Sequence, residues 1–201
     1  MAIILDSAKA TMSASATSPL TFSHTCTGSN RILLVGVESG SGGDTVTGVT
    51  YNGVAMTQIA KKLLSPNYVY LYYLLAPATG ANNVSISFSD ATNHRGTAVS
   101  YTGANQSGQP DASATASGTG DTETGTVTVV ATGSWLAMQT ANDSAEPTAG
   151  AGTVRRGTSS GGGFGFFDSN SAPGTGSQSI VGSTSTGGTA TWALVVASFA
   201  P

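Results

Sequence analysis

Apolar and polar residues alternate with a period of two along much of the chain. Residues 84–89 read Val-Ser-Ile-Ser-Phe-Ser, and residues 126–129 read Thr-Val-Thr-Val. Successive side chains of a strand point to opposite faces of a sheet, so this alternation predicts strands with one buried and one solvated face. Segments 31–37 and 192–199 are apolar at both sets of alternating positions. They are typical of central strands that are covered on both faces.

Helix signals are missing from the pattern, whereas turn signals recur. No stretch combines a 3.6-residue apolar stripe with a capping residue, and helix-favouring residues are scarce. Asn52-Gly53 lies between two short apolar segments and predicts a type I′ hairpin turn. We therefore predict an all-β fold, an antiparallel β-sandwich that is jelly-roll-like, with about a dozen strands and almost no helix.

The domain organisation predicted from the sequence is a single β-sandwich over residues 1–201. An N-terminal arm is expected at 1–19, and long loops rich in Gly, Ala and Ser are expected at 103–124 and 141–163. Either loop could instead link two small domains, but the second half of the chain contains few large apolar side chains. No internal repeat with a consistent register is recognisable in the sequence.

Charged residues make up only 8% of the chain, against about 25% in an average soluble protein. The 7 basic residues are scattered among 10 acidic ones, which argues against binding to nucleic acid. No apolar run is long enough to span a membrane, and the first residues lack the basic region of a signal peptide. We expect a protein made in a cytoplasm without membrane insertion.

Candidate catalytic and metal-binding groups are few. His24 and Cys26 share one face of a predicted strand, as a nucleophile and its base would, but a buried structural pair is the simpler interpretation. The acidic residues fall mainly in predicted turns, where Asp is common, and they form no recognised calcium loop. We predict no catalytic residue, no cofactor and no metal site, and hence no enzyme.

The most aromatic segment, residues 67–75, predicts an interaction surface. Tyr68, Tyr70 and Tyr72 alternate and therefore share one face of a strand. Tyrosine combines apolar area with a polar tip, which suits protein interfaces and sugar-binding platforms. The alternative is a central strand whose tyrosines lie at the rim of the core.

Segments 20–37, 49–56, 72–77 and 98–103 resemble small β-sandwich proteins encoded among bacteriophage virion structural genes and also seen in bacterial surface proteins. The resemblance covers residues 18–105 and implies a jelly-roll-like fold in a virion or surface setting. It carries no catalytic residue to this chain.

Two functions remain as hypotheses. The first is a non-enzymatic virion structural protein, such as a capsid decoration protein, whose partners are copies of itself or a capsid protein. The alternative is a carbohydrate-binding or adhesin module that binds host surface glycans, with Trp135, Trp192 and the three tyrosines as sugar contacts.

Overall fold

The computed structural model describes residues 1–8, 13–15, 17–40, 43–158 and 162–201. These residues form eighteen β-strands, all paired antiparallel, and no helix. The predicted all-β, antiparallel sandwich is confirmed, with more strands than the dozen or so expected. No helix among the described residues is long and apolar enough to cross a membrane.

The first ten strands form two facing sheets, together called the N-half. Their bounds are β1 (Ile4–Ala8), β2 (Ser13–Ser15), β3 (Leu20–Cys26), β4 (Ile32–Glu38), β5 (Val46–Tyr51), β6 (Val54–Ala55), β7 (Thr57–Leu64), β8 (Asn67–Leu75), β9 (Gly80–Phe88) and β10 (His94–Thr102). The inner N-sheet has the order β1-β10-β4-β8-β7, and β2 also pairs with β10. The outer N-sheet has the order β3-β9-β5-β6.

The last eight strands form the C-half, again as two sheets. Their bounds are β11 (Ala112–Thr119), β12 (Thr122–Val129), β13 (Trp135–Asn142), β14 (Thr148–Ala149), β15 (Val154–Thr158), β16 (Gly163–Asp168), β17 (Gly176–Ser183) and β18 (Thr191–Phe199). The inner C-sheet has the order β11-β18-β13-β16-β15, and the outer C-sheet has the order β12-β17-β14.

Both halves have jelly-roll connectivity. In the N-half, β1 pairs with the last strand β10, and β3 pairs with the last but one, β9. In the C-half, β11 pairs with β18, and β12 pairs with β17. First-with-last and second-with-last-but-one pairing across two facing sheets is the arrangement of an eight-stranded jelly roll.

The four sheets stack in the order outer N, inner N, inner C, outer C, and a hydrophobic cluster fills each gap. The first cluster includes Phe22, Leu33 and Ile86 and joins the two N-sheets. The second joins the two inner sheets through residues such as Leu34 and Phe166. The third, between the two C-sheets, is the following set: Val127, Val129, Leu136, Met138, Phe167, Ile180, Trp192, Leu194 and Val196. The inner sheets are therefore covered on both faces, which explains the apolar segments 31–37 and 192–199.

Segment 103–124, expected to be a loop, contains the whole of β11 and the start of β12. The residues of β11 do alternate, but with alanines at 112, 114 and 116 and with serine and threonine between them. These alanines pack against the third cluster. The prediction was wrong here because small side chains give an alternating strand little contrast in hydropathy.

The other two irregular segments also contain strands. Residues 4–8 of the expected N-terminal arm form β1, which pairs with β10 at one side of the inner N-sheet, and β2 also lies in the arm. Segment 141–163 contains β14 and β15, each short and paired on one side only. Residues 9–12, 16 and 159–161 of these two predicted segments lie outside the described residues.

Candidate functional site

The tyrosines of β8, predicted to form an interface, lie on the face of the inner N-sheet that the outer N-sheet covers. Tyr70 is fully buried, Tyr72 is buried and Tyr68 is half-buried at the rim. The Tyr70 hydroxyl donates a hydrogen bond to Oδ1 of Asp44 at 2.7 Å, and the Tyr72 hydroxyl donates to Oε1 of Gln58 at 2.9 Å. Burial raises the pKa of Tyr72 to about 12.

The structure thus corrects the interface prediction for Tyr70 and Tyr72, which are core residues. For Tyr68, which is half-buried at the rim, a role in an interface stays a prediction. Alternation shows that the three side chains share a face, but it does not show which sheet covers that face. Of the two tryptophans, Trp192 is buried and Trp135 is half-buried. These aromatic side chains therefore do not form an exposed sugar-binding platform.

His24 and Cys26 point into the core of the N-half, as the simpler interpretation of the sequence predicted. Cys26 has no exposed surface, and burial raises the pKa of its thiol. A raised pKa keeps the sulfur protonated at neutral pH, whereas a nucleophilic cysteine needs an accessible thiolate. The pair therefore lacks the setting of a catalytic dyad.

His24 belongs to a chain of hydrogen bonds that the sequence did not reveal. Its Nε2 lies 3.0 Å from the Ser100 hydroxyl, which donates to Oδ2 of Asp6 at 2.8 Å. The residue types are those of a serine hydrolase, but in that triad the histidine stands between serine and carboxylate. Here the serine is the central residue and is fully buried, so the arrangement ties strands together.

Replacing Cys26 by serine should cost about 1 kcal/mol of unfolding free energy, because a hydroxyl replaces a small apolar group in the core. Urea unfolding monitored by circular dichroism measures this cost. Thr25→Ser, at the neighbouring exposed position, is the matched control and should leave stability unchanged. Loss of partner binding in a folded Cys26→Ser protein would contradict the structural role of the thiol.

His94 occupies a fully buried pocket near the start of β10. The backbone N–H of Gly40 donates to its Nδ1 at 3.0 Å, so the ring proton lies on Nε2, which is 2.9 Å from Oδ1 of Asp90. Phe88 stacks on the ring with 3.5 Å between centroids. Burial lowers the pKa of His94, because the charged form would lose its hydration.

The lowered pKa of His94 predicts a loss of stability in mild acid. The folded-state pKa lies below the ordinary value of 6.5, so the unfolded chain takes up the proton first as the pH falls. The contribution of His94 is complete above pH 6.5 and is lost progressively below it. The free energy of unfolding should therefore fall more steeply between about pH 7.5 and about pH 5.5 in the wild type than in His94→Gln. Equal slopes for the two proteins would contradict the prediction, since they differ only at this titrating group.

Glu123 is a second buried titratable residue, placed between the two C-sheets. The Thr140 hydroxyl donates to its Oε2 at 2.6 Å, and the Asn142 side-chain amide donates to Oε1 at 2.7 Å. Its side chain has no exposed surface, and burial raises its pKa. None of the ion pairs among the described residues includes Glu123. Its two neutral donors compensate part of the cost of burying the carboxyl group.

The turn carboxylates of Asp44 and Asp121 have partners within the protein. Asp44 forms an ion pair with Lys61 and accepts a hydrogen bond from the Tyr70 hydroxyl. Asp121 accepts a hydrogen bond from the backbone N–H of Thr186 at 3.0 Å. Among the described residues, no group of three or more His, Cys, Asp or Glu side chains could hold a metal ion.

An open polar groove of about 470 Å³ lies on the solvent face of the outer N-sheet. Its lining includes Thr50, Asn52, Asn82, Asn83 and Ser85, with the Asn52-Gly53 turn at one end. The side-chain amide of Asn82 is held in place by the carbonyl oxygen of Thr79 at 3.1 Å. The described lining residues therefore combine hydroxyl and amide groups, and none of them is charged or aromatic.

Comparison of the chain with protein-family models, with curated proteins and with solved structures gives no match.

Proposed function

We propose that the chain is a non-enzymatic structural protein of a bacteriophage virion, where it decorates the capsid or takes another place in the assembly of the particle surface. Its partners would be a capsid protein and copies of itself rather than nucleic acid, and it would be made in the host cytoplasm. The resemblance of residues 18–105 and the nature of the exposed faces support this function.

The observation that carries the proposal is the absence of charge on both outermost faces of the described sheets. On β3 and β12 the outward-facing exposed residues are Thr21, Ser23, Thr25, Thr122, Thr126 and Thr128. The single charged residue on the strands of these two sheets is the buried Glu123. A partner that covers such a face buries no unpaired charge, and charged residues are depleted at the centres of protein interfaces.

The low surface charge also favours association. Like net charge keeps soluble proteins apart, whereas this chain carries a net charge of only −3 over 201 residues. A protein packed against a shell does not need that repulsion.

The proposal can be tested on purified virus particles that are produced from the genome encoding the chain. Mass spectrometry should detect the chain at a constant ratio to the shell protein. The purified chain should also co-sediment with shells that are produced when the gene for the chain has been deleted. Absence from the particles together with no co-sedimentation would overturn the proposal.

Charge placed on the outer faces tests which surface meets the shell. Ser23→Lys alters the outer N-sheet and Thr128→Lys alters the outer C-sheet, both at exposed positions. One of them should weaken co-sedimentation by about tenfold or more, equivalent to roughly 1.4 kcal/mol. Ser107→Lys, in the exposed connection between the halves, is the control and should bind like the wild type. Unchanged binding by both face variants would remove the outer faces from the proposal.

The polar groove supports a second candidate function, the recognition of surface glycans by a carbohydrate-binding or adhesin module. Hydroxyl and amide groups such as those of Asn52, Asn83 and Ser85 can bond sugar hydroxyls, although no exposed aromatic ring lies beside them. A glycan array probed at millimolar sugar, with and without calcium, separates this function from the first. No binding in either condition would exclude it.

A further inference from the structure

The N-half and the C-half correspond strand by strand. Leaving out β2 and β6, the strands of both inner sheets have the order first, eighth, third, sixth, fifth, and those of both outer sheets have the order second, seventh, fourth. The register agrees as well, because β3 ends with Cys26 opposite Gly80 and β12 ends with Val129 opposite Gly176. Gly80 and Gly176 have φ angles of 84° and 85°, which are conformations that favour glycine.

A hydrogen-bonding arrangement in the N-half centres on the half-buried Asp6. The Ser100 hydroxyl donates to Oδ2 of Asp6 at 2.8 Å. The backbone N–H of Thr27, in the turn after β3, donates to the same oxygen at 2.8 Å, and the Thr27 hydroxyl donates to Oδ1. One carboxylate thus joins the first strand, the last strand and the turn that follows the second strand.

The C-half repeats this arrangement around Asp111. The Ser198 hydroxyl of the last strand donates to Oδ1 of Asp111. In the turn after β12, the backbone N–H of Ala131 and the Ser134 hydroxyl donate to Oδ2 at 3.1 Å and 3.0 Å. Three donors of the same kinds, at the same places in the topology, indicate that Asp6 and Asp111 are equivalent residues, as are Ser100 and Ser198.

These equivalences show how the inner sheets meet. Ser100 pairs with Leu33 of β4, and the equivalent Ser198 pairs with Leu136 of β13, so Leu33 and Leu136 are equivalent residues. Three residues further along these strands lie Gly36 in β4 and Gln139 in β13. Gly36 is therefore the equivalent of Gln139. The two equivalent residues contact each other, because a Cβ atom on Gly36 would overlap the Gln139 side chain. Contact between equivalent residues is what occurs on a two-fold axis.

Three of the strand contacts between the halves fit the same rotation. β4 lies against its equivalent β13, β7 lies against β18, and β10, the equivalent of β18, lies against β15, the equivalent of β7. The rotation is approximate, because the contacts of β7 with β11 and of β8 with β18 are more extensive than their counterparts in the other half. We propose that the facing surfaces of the two inner sheets form one self-complementary interaction surface, whose partner is a second copy of the same eight-stranded unit. The chain is then two such units, already paired and joined through residues 103–111. This inference does not depend on the proposed function.

An exchange of the two residues on the axis tests the proposal. Gly36→Gln alone overlaps Gln139, and Gln139→Gly alone leaves a void and removes the amide that donates to the carbonyl oxygens of Thr140 and Gly165. Each single variant should lower the melting temperature by roughly 5–10 °C. The double variant should recover at least half of the summed loss, because a two-fold rotation returns the glutamine to an equivalent environment.

The carbonyl oxygens equivalent to those of Thr140 and Gly165 belong to Val37 and Tyr70, which pair with each other as Thr140 and Gly165 do. A loss in the double variant equal to the sum of the single losses would overturn the proposal. If Gly36→Gln does not fold alone, recovery of a folded double variant supports the proposal and continued misfolding overturns it. Gly96→Ala combined with Gln139→Gly is the control, because Gly96 faces the first cluster and its effect should add without recovery.

Cleavage of the full chain provides an independent measurement. A protease recognition sequence inserted between Ser107 and Gly108 lies in an exposed connection between the halves. After cleavage, both fragments should elute together at micromolar concentration, and the melting temperature should become dependent on protein concentration. Separation of the fragments would show that the surface does not hold two units together.

Discussion

Phe166→Ala should lower the free energy of unfolding by about 3–5 kcal/mol, the usual cost of removing a fully buried aromatic ring. The ring has no exposed surface and packs between the two inner sheets, where Leu34 and Leu71 of the N-half contribute to the same cluster. Its removal leaves a cavity that two sheets, each fixed by a second sheet behind it, cannot close. Urea or thermal unfolding of the variant measures the loss.

The matched control for this prediction is Val130→Ala, whose side chain is 68% exposed and outside the described clusters. It should change stability by less than about 0.5 kcal/mol. A loss of less than about 1 kcal/mol for Phe166→Ala would show that the inner sheets do not depend on this contact for stability.

Asp168→Ala should cost about 3–5 kcal/mol, because it leaves a largely buried cation without its partner. Oδ2 of the fully buried Asp168 accepts a hydrogen bond from Nε of Arg156 at 2.7 Å and another from the hydroxyl of Tyr101 at 2.8 Å. Tyr101 belongs to the inner N-sheet and Asp168 to the inner C-sheet, so the carboxylate also ties the halves together. Burial raises the pKa of Tyr101 well above its usual range, so its hydroxyl remains a donor at neutral pH.

Glu146→Ala provides the comparison, because the pair of Glu146 with Arg155 is more exposed than that of Asp168 with Arg156. Exposed pairs contribute little, so this variant should lose less than about 1 kcal/mol. Tyr101→Phe should cost less than Asp168→Ala, since the ion pair remains. Equal losses for Asp168→Ala and Glu146→Ala would contradict the argument that burial makes the carboxylate important.

Several local features follow from the sequence alone. The alternation in residues 84–89 and 126–129 predicts strands, and the structure has β9 and β12 there. The Asn52-Gly53 turn is confirmed between β5 and β6, with both residues at positive φ as a type I′ turn requires. The burial of His24 and Cys26 also follows, because alternation places them with Phe22 on the apolar face of β3. These features depend on the backbone and on near neighbours, which a sequence displays directly.

The site residues depended more on tertiary structure. Asp6 and Ser100 are far apart in the chain, and β10 meets β1 only in the folded protein. The same holds for Gly40 beside His94 and for Thr140 beside Glu123. No local pattern marks these residues, since each contact joins segments that lie well apart along the chain.

The sequence by itself determined that the chain is an antiparallel β-protein with few charged residues, because alternation and composition are properties of each segment. Only the tertiary structure decided that the chain contains two paired jelly rolls, that Tyr70 and Tyr72 lie in a core, and that β11 is a strand. The halves share strand order and hydrogen-bonding positions such as Asp6 and Asp111, but few identical residues. A jelly roll needs apolar volume at inward positions and does not need particular side chains there, so the two halves can share one fold without similar sequences.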